Sequence, residues 1–230
     1  MFEFPKKAEF NRPLPKAKIY TFAKPSRSVR DRFVSEIQAI VWKYKLSPET
    51  TNLPARHGVE EIQVFELVLK RPESCGDLLR VIDRSLAFPT FFLLTHGKRF
   101  RTVAAYKRPS EADPAKWVTD GYFETPWQAL DAPPVALPIA LDLAALYEGM
   151  LRQLIPQPPL PGESLRAQVE RIARIQTKEN ERRLLGSRLA KERQFNRKVG
   201  LNQQLRALNT EIAGLASNDA STQDSPGSSS

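Results

Sequence analysis

The stretch Val59–Lys70, "VEEIQVFELVLK", decides how the rest of the chain is read. Phe65, Leu67 and Leu69 alternate with Ile62, Val64, Glu66 and Val68, which is the two-residue period of a strand. Both sets are apolar except for Glu66, so both faces are expected to be covered, as in a central strand. A charge at Glu66 among Ile62, Val64 and Val68 needs a partner or a proton. Arg99 and Arg101, on the next hairpin, are the candidate partners.

Outward from this strand, the C-terminal side reads as a second helix and then a hairpin. "SCGDLLRVIDRSLA" places Leu78, Leu79, Ile82 and Leu86 on one helical face, with Ser74 as the expected cap. "PTFFLLT" and "RFRTVAAYK" are strands joined at "HGK", where Gly97 can take positive φ in a tight turn. "GYFET" is a further strand, and "ALDAPPVALP" a loop. Leu143, Leu146, Tyr147, Met150, Leu151 and Leu154 then mark a helix with Asp142 near its start.

On the N-terminal side, Val29, Phe33, Ile37, Ile40, Val41 and Tyr44 recur at three or four residues, which predicts one helix, with Ser28 and Asp31 spaced as a capping box. "LSPETTNL" ends it, because Pro48 disfavours helix at Ser47. Residues 1–26 hold four prolines and six lysines or arginines, so an extended arm is expected there. Hairpins with helices to one side predict an α+β domain over 27–155, with an antiparallel or mixed sheet.

"PQPPLPGES" carries four prolines within six residues and reads as a stiff connector over 156–163. Beyond it, 164–216 reads as a long basic helical segment resembling a coiled coil: Leu165, Val169 and Ile172 open a seam, and Leu201, Leu205, Leu208, Ile212 and Leu215 repeat at four and three residues. "QTKENERR" between them is polar all round, and Gly186 and Gly200 are weak points where the tail can bend back. Residues 217–230, "SNDASTQDSPGSSS", have the composition of a disordered end.

The 230-residue chain has a formal charge of +9, which favours polyanionic partners. Between Glu163 and Lys198 there are eleven Lys or Arg against five Glu, so the tail carries two thirds of the surplus. The longest apolar run, "FPTFFLLT", is too short to cross a bilayer, and "MFEFPKKAEF" lacks the apolar stretch of a signal peptide; a cytoplasmic protein is expected. Cys75 is the single cysteine, which excludes an internal disulfide, and with His57 and His96 as the two histidines no metal site is expected. Both histidines read as surface residues. Cys75 precedes a helix start, a position that lowers thiol pKa values, but no adjacent group makes it a nucleophile.

Taken together, "IVWKYKLSPETTNL", "VEEIQVFELVLK", "FPTFFLLTHGKRFRTVAAYKR" and above all "KERQFNRKVGLNQQLRAL" resemble the bacterial domain-of-unknown-function family 4391, over nearly the whole chain. The resemblance implies an α+β domain followed by helices, and a gene found beside DNA methyltransferases and helicases of phage-defence and restriction-modification type. It brings no assigned activity.

No phosphate-cradling glycine loop, nucleophile elbow or zinc-ligand spacing is present in the sequence. An acidic strand remains. A Mg²⁺-dependent nuclease needs carboxylates converging on a cation and a Lys or Gln to orient water. Glu61 and Gln63 share a strand face, Glu36 could add a ligand, and Glu66 and Lys70 share the other face. The competing reading makes these residues a solvated strand start, an ion pair and a strand end.

For the tail, Arg182, Arg183, Arg188, Lys191, Arg193, Arg197 and Lys198 offer sequence-independent phosphate contacts, with Arg188, Lys191 and Lys198 near one stripe of a continuous helix. Phe195 and Asn196 interrupt the charge and suit docking to a protein. A charged coiled-coil flank, within or between chains, explains the same residues without any ligand. Trp42 and Tyr44 read as core aromatics. The leading expectation is a cofactor-free, non-catalytic accessory protein that contacts DNA or a partner helicase or methyltransferase through its basic helices. The alternatives are the Mg²⁺ nuclease and a structural coiled-coil oligomer.

Overall fold

The computed structural model describes residues 1–72, 75–113 and 117–217. The chain divides into two compact units, Met1–Pro156 and Gln157–Ser230. The first unit begins with β1 (Phe2–Glu3), a single 3-10 turn (Lys6–Ala8) and β2 (Glu9–Pro13), followed by α1 (Lys16–Ala23) and α2 (Arg27–Glu36). Then come β3 (Ile37–Leu46), α3 (Pro48–Thr51), β4 (Ile62–Leu69), α4 (Gly76–Arg84), β5 (Thr90–His96), β6 (Arg99–Pro109) and β7 (Trp117–Glu124). The two-residue strands β8 (Gln128–Ala129) and β9 (Val135–Ala136) precede α5 (Leu143–Arg152).

β4 is a central strand, as the alternation of "VEEIQVFELVLK" predicts. The main sheet runs in the order β2-β3-β4-β5-β6-β7, with β8 on β6. β4 and β5 are parallel, joined through α4, and the other pairs in this sheet are antiparallel. A parallel pair needs a crossover, and the amphipathic α4 supplies it. One face of the sheet presents Phe65, Leu67, Leu69, Phe92, Leu94 and Val103 to Ile19 of α1, Phe33 of α2 and Leu78, Leu79 and Ile82 of α4. The other face meets α5, where Tyr147 packs edge-on against Phe91 and donates to the Ala105 carbonyl at 2.9 Å. Helices thus cover both faces, as the two apolar sets of β4 predict, and not only the one side that the hairpin pattern suggests. The α+β class with a mixed sheet is as expected.

Two N-terminal expectations are corrected. The predicted helix from Ser28 to Tyr44 ends at Glu36, and Ile37–Leu46 is a ten-residue strand. Its apolar spacing fits a helix, but the β-branched and aromatic residues of "IQAIVWKY" suit a pleated surface, and β2 and β4 supply backbone partners on both edges. The cap is Ser26, whose hydroxyl accepts from Val29 N, and not Ser28. The arm over 1–26 is not extended throughout. Pro13, Pro15 and Pro25 bracket a proline-free segment that forms α1, closed by Lys24 in a left-handed conformation (φ 45°). Trp42 and Tyr44 are packed as expected, Trp42 between Phe10 and Phe65, and Tyr44 stacked on Phe4 at 4.4 Å.

The hairpin at Gly97 (φ 56°) joins β5 to β6, and Asp142 caps α5 by accepting from Ala145 N at 2.8 Å. The expected cap Ser74 and residues 218–230 of the expected disordered end lie outside the described residues. Among the described residues no helix is long and apolar enough to cross a membrane.

The second unit is built on two helices, α6 (Leu165–Lys191) and α7 (Phe195–Ala216), packed against each other. Ser164 caps α6 by accepting from Ala167 N. Arg171, with 4% of its side chain exposed, makes a two-pronged contact with Glu163 at 2.7 and 2.8 Å. The same guanidinium donates to Pro158 O and Leu215 O. It therefore ties the proline-rich segment and the end of α7 to α6. Lys178 pairs with Glu211 across the two helices.

Candidate functional site

The basic residues of the tail gather where α6 gives way to α7. Neither Gly186 nor Gly200 makes the bend, since both lie inside helices. The chain leaves α6 at Glu192 (φ -70°, ψ 138°), whose Oε1 accepts from Arg193 N at 2.8 Å and Gln194 N at 2.9 Å. These bonds hold the Glu192 carboxyl below its usual pKa, because backbone N–H groups favour the ionised form. A carboxylate that collects two N–H donors can stop one helix and start another, as capping residues do. Glycine weakens a helix but does not end it without such an alternative for the backbone.

Arg188 and Lys191 of α6, Arg193 and Gln194 of the connection, and Arg197 of α7 line an open cleft of about 750 Å³. Glu192, Gly200, Leu201 and Gln204 complete it, so four cations face one carboxylate. A Cβ at Gly200 would meet no atom within 4 Å, so bulk is absent from this wall. Phe195, 77% exposed, begins α7 beside this cleft in sequence, with Val199 and, on α6, Leu184 also exposed. Arg182 and Arg183 border a separate depression with Gln176, Glu179 and Asn180. Asn196 and Lys198 are exposed on the first turn of α7, outside the residues that line the cleft.

The structure corrects the single stripe of Arg188, Lys191 and Lys198. A break at 192–194 puts Lys198 on a different helix from the other two. It brings together instead Arg188, Lys191, Arg193 and Arg197. Sequence reasoning missed Glu192, Gln194 and Gln204; the signal that was available for the first was a lone acid between basic residues, at the point where the apolar seam lapses. Of the expected seam, Leu165, Val169, Ile172 and Leu208 are buried, and Leu201, Leu205, Ile212 and Leu215 are half-buried.

The residues of the acidic-strand reading are not brought together. Glu61 and Gln63 stand at one end of β4, Glu36 and Lys70 at the other, about 30 Å away along an extended strand. Each is held by a local partner. Glu61 pairs with Lys45 at 2.6 Å and accepts from Gln63 Nε2 at 2.7 Å. Glu36 takes Arg32 at 2.6 Å, and Lys70 Nζ donates to Val34 O. Glu66 pairs with Lys43 of β3 at 2.9 Å, not with Arg99 or Arg101. Lys43 neighbours the Val41–Glu66 pair on the adjacent strand, so cross-strand register supplied the partner that helix assignment over 28–44 had hidden. Among the described residues no three His, Cys, Asp or Glu side chains converge on one point.

Cys75 is buried, and burial pushes its thiol up to about 11, against the lowering expected from a helix start. Desolvation of the thiolate outweighs the helix end and the nearby Arg101.

No curated protein and no solved structure matches the chain. The family described as Domain of unknown function (DUF4391) matches it over residues 2–212, taking in the sheet, its covering helices and nearly all of the α6–α7 hairpin, and the chain belongs to that family.

Proposed function

We propose that this protein is a non-catalytic accessory component of a bacterial DNA-modification or phage-defence assembly, and that the turn of the α6–α7 hairpin is its contact with DNA. The observation that carries the reading is the set of four cations, Arg188, Lys191, Arg193 and Arg197, around one open cleft with a single carboxylate. Such an arrangement suits phosphates, which attract guanidinium and ammonium groups without regard to base sequence. The start of α7 adds backbone N–H groups with no helical acceptor, which favour an anion there. Family 4391 genes lying beside DNA methyltransferases and helicases supply the setting.

A second reading is supported by Phe195. An aromatic side chain 77% exposed amid charge is an expected anchor for a protein partner, such as a neighbouring helicase or methyltransferase. The acidic-strand nuclease and a coiled-coil oligomer remain as alternatives with less support from the geometry.

Anisotropy of labelled duplex DNA across a salt series tests the leading reading. The combined variant R188E/K191E/R193E/R197E should lose binding while keeping its thermal transition. Unchanged affinity in that variant would remove the proposal. Phe195→Ala should leave DNA binding near its starting value and abolish co-purification with a neighbouring enzyme if the second reading holds. In the same reactions with Mg²⁺, strand cleavage that disappears on Glu61→Ala would instead establish the nuclease.

A further inference from the structure

A second concentration of positive charge lies at the other end of the chain, around the two short helices α1 and α2. Residues 1–30 hold eight Lys or Arg against two Glu. The helices run side by side in opposite directions. Tyr20 of α1 packs edge-on against Phe33 of α2, Lys16 at the start of α1 donates to Ile37 O just past the end of α2, and Arg30 Nε donates to Pro25 O in the link between them. Ile19 and Phe33 belong to the core under the helices, so the outer face of the pair is left to charged side chains.

Six cations belong to this layer: Lys16, Lys18, Lys24, Arg27, Arg30 and, from the end of β4, Lys70. Among the described residues none of them forms an ion pair with a carboxylate. The neighbouring acids Glu36 and Asp77 are both engaged by Arg32, and Asp31 is the one acid of α2 outside these pairs. Lys16 and Lys70 donate to the Ile37 and Val34 carbonyls, which gives them a structural duty at the end of α2. Burial, and after it the nearby Lys70 ammonium, lowers the Lys16 pKa, so even these two stand close enough to repel. Lys18, Lys24 and Arg27 are exposed, and among the described residues their side chains make no hydrogen bond.

Folding does not account for these positions. Neither helix has an acid in its first turn, where α1 carries Lys16 and Lys18 and α2 carries Arg27 and Arg30. Positive charge at the start of a helix opposes the helix dipole and costs stability, so its presence there points to an anionic partner. Phe22 identifies the kind of anion. It is 73% exposed, one turn from Lys18 on the same face of α1 and two residues before Lys24. Duplex DNA offers phosphates but keeps its bases stacked inside, whereas a single strand offers phosphates together with open base faces on which an aromatic ring can stack. A lipid surface would call for a broad apolar face, and Ile19, Tyr20 and Ala23 of α1 are turned to the core. The ten residues of α2 span about 15 Å, long enough for several phosphates of one strand.

From these observations we infer that the outer face of α1 and α2 binds single-stranded nucleic acid, with Lys18, Lys24 and Arg27 on the phosphates and Phe22 stacked on a base. The surface shares with the hairpin reading only its DNA setting. It uses none of the same residues, and the hairpin turn belongs to the other unit.

The test is fluorescence anisotropy of the full chain with labelled oligothymidylate and with a duplex of equal length, at low and at physiological salt. Oligothymidylate should bind at low salt and be released as salt rises. Phe22→Ala should weaken it about 5- to 100-fold, the range for losing one base–aromatic stack, and leave the duplex unchanged. The variant K18Q/K24Q/R27Q should weaken oligothymidylate about tenfold or more and flatten its salt dependence. All four side chains are exposed, so these variants should keep the thermal transition of the unaltered protein. The hairpin variant R188E/K191E/R193E/R197E should still bind oligothymidylate, and loss of the duplex alone in that variant would separate the two surfaces. Duplex binding that persists there removes the hairpin reading and leaves this one standing. The inference is overturned if oligothymidylate does not bind, if Phe22→Ala binds it as the unaltered protein does, or if the hairpin variant by itself abolishes binding. Binding to phosphatidylserine vesicles but not to oligothymidylate would assign the face to a lipid surface and would equally overturn it.

Discussion

Lys107 has 2% of its side chain exposed, yet it carries an ammonium group. It survives because three acceptors surround it: Asp83 Oδ1 at 3.1 Å, Asp83 O at 2.8 Å and Leu86 O at 2.6 Å. Two of these are carbonyls near the end of α4, where helices leave such groups unpaired. Burial lowers the Lys107 pKa and Asp83 opposes the shift. Lys107→Met would strip Asp83 of its cation inside the protein, so a loss of about 3–5 kcal/mol is expected in urea unfolding. A loss below 1 kcal/mol would show that Tyr122 and relaxation suffice for Asp83. Cys75 gives a second prediction at this scale. Its thiol is raised from 9.0 to about 11 by burial, so the thiolate fraction at pH 8 is roughly 100-fold below that of a free thiol, one factor of ten per pKa unit. Iodoacetamide should label it slowly in the native protein and rapidly in urea. Because the folded pKa lies above the unfolded one, the associated stability is full below pH 9 and is lost as pH rises towards 11. The thermal midpoint should fall across that window, and less steeply in Cys75→Ala.

The element that best separates local preference from context is the segment Arg27–Leu46. Its apolar residues satisfy a helical period throughout, yet the chain changes from α2 to β3 at Ile37. A partner strand on each side outweighs the few tenths of a kcal/mol by which residues differ in helix propensity. In the second unit, helix length is no guide to stability, because α6 is largely polar and exposed beyond Ile175. Long isolated helices of this kind depend on their anchors. Arg171 is the principal one, joining Glu163, Gln157, Pro158 and Leu215. Arg171→Met leaves Glu163 buried without this cation and should cost about 3–5 kcal/mol, visible as early loss of helical circular dichroism. Ser164→Ala, which removes only the cap, should cost about 1 kcal/mol.

For the molecule as a whole, charge and fold are divided between the units. The first unit carries the sheet and the buried Lys107–Asp83 pair, and the second carries the buried Arg171–Glu163 pair and a surplus of six positive charges between Glu163 and Lys198. If the four cations of the hairpin turn each neutralise one phosphate, log K for duplex DNA should fall against log salt with a slope of about −3.6, from ~0.9 per phosphate. A slope near zero would argue for the Phe195 docking reading. The sequence alone determined the central strand, the amphipathic helix after it, the Gly97 hairpin, the Asp142 cap and the basic character of the tail, because each rests on a short period or on a residue whose local chemistry leaves little choice. Only the tertiary structure decided the rest. It chose β3 over helix through strand pairing, gave Glu66 to Lys43 through register, split the acidic residues between two ends of β4, and gathered Arg188, Lys191, Arg193 and Arg197 around a bend set by Glu192. It also paired the buried Arg101 with Glu124 while leaving its Nε without an acceptor. Residues distant in sequence meet through pairing and burial, and no local period encodes which of them will meet.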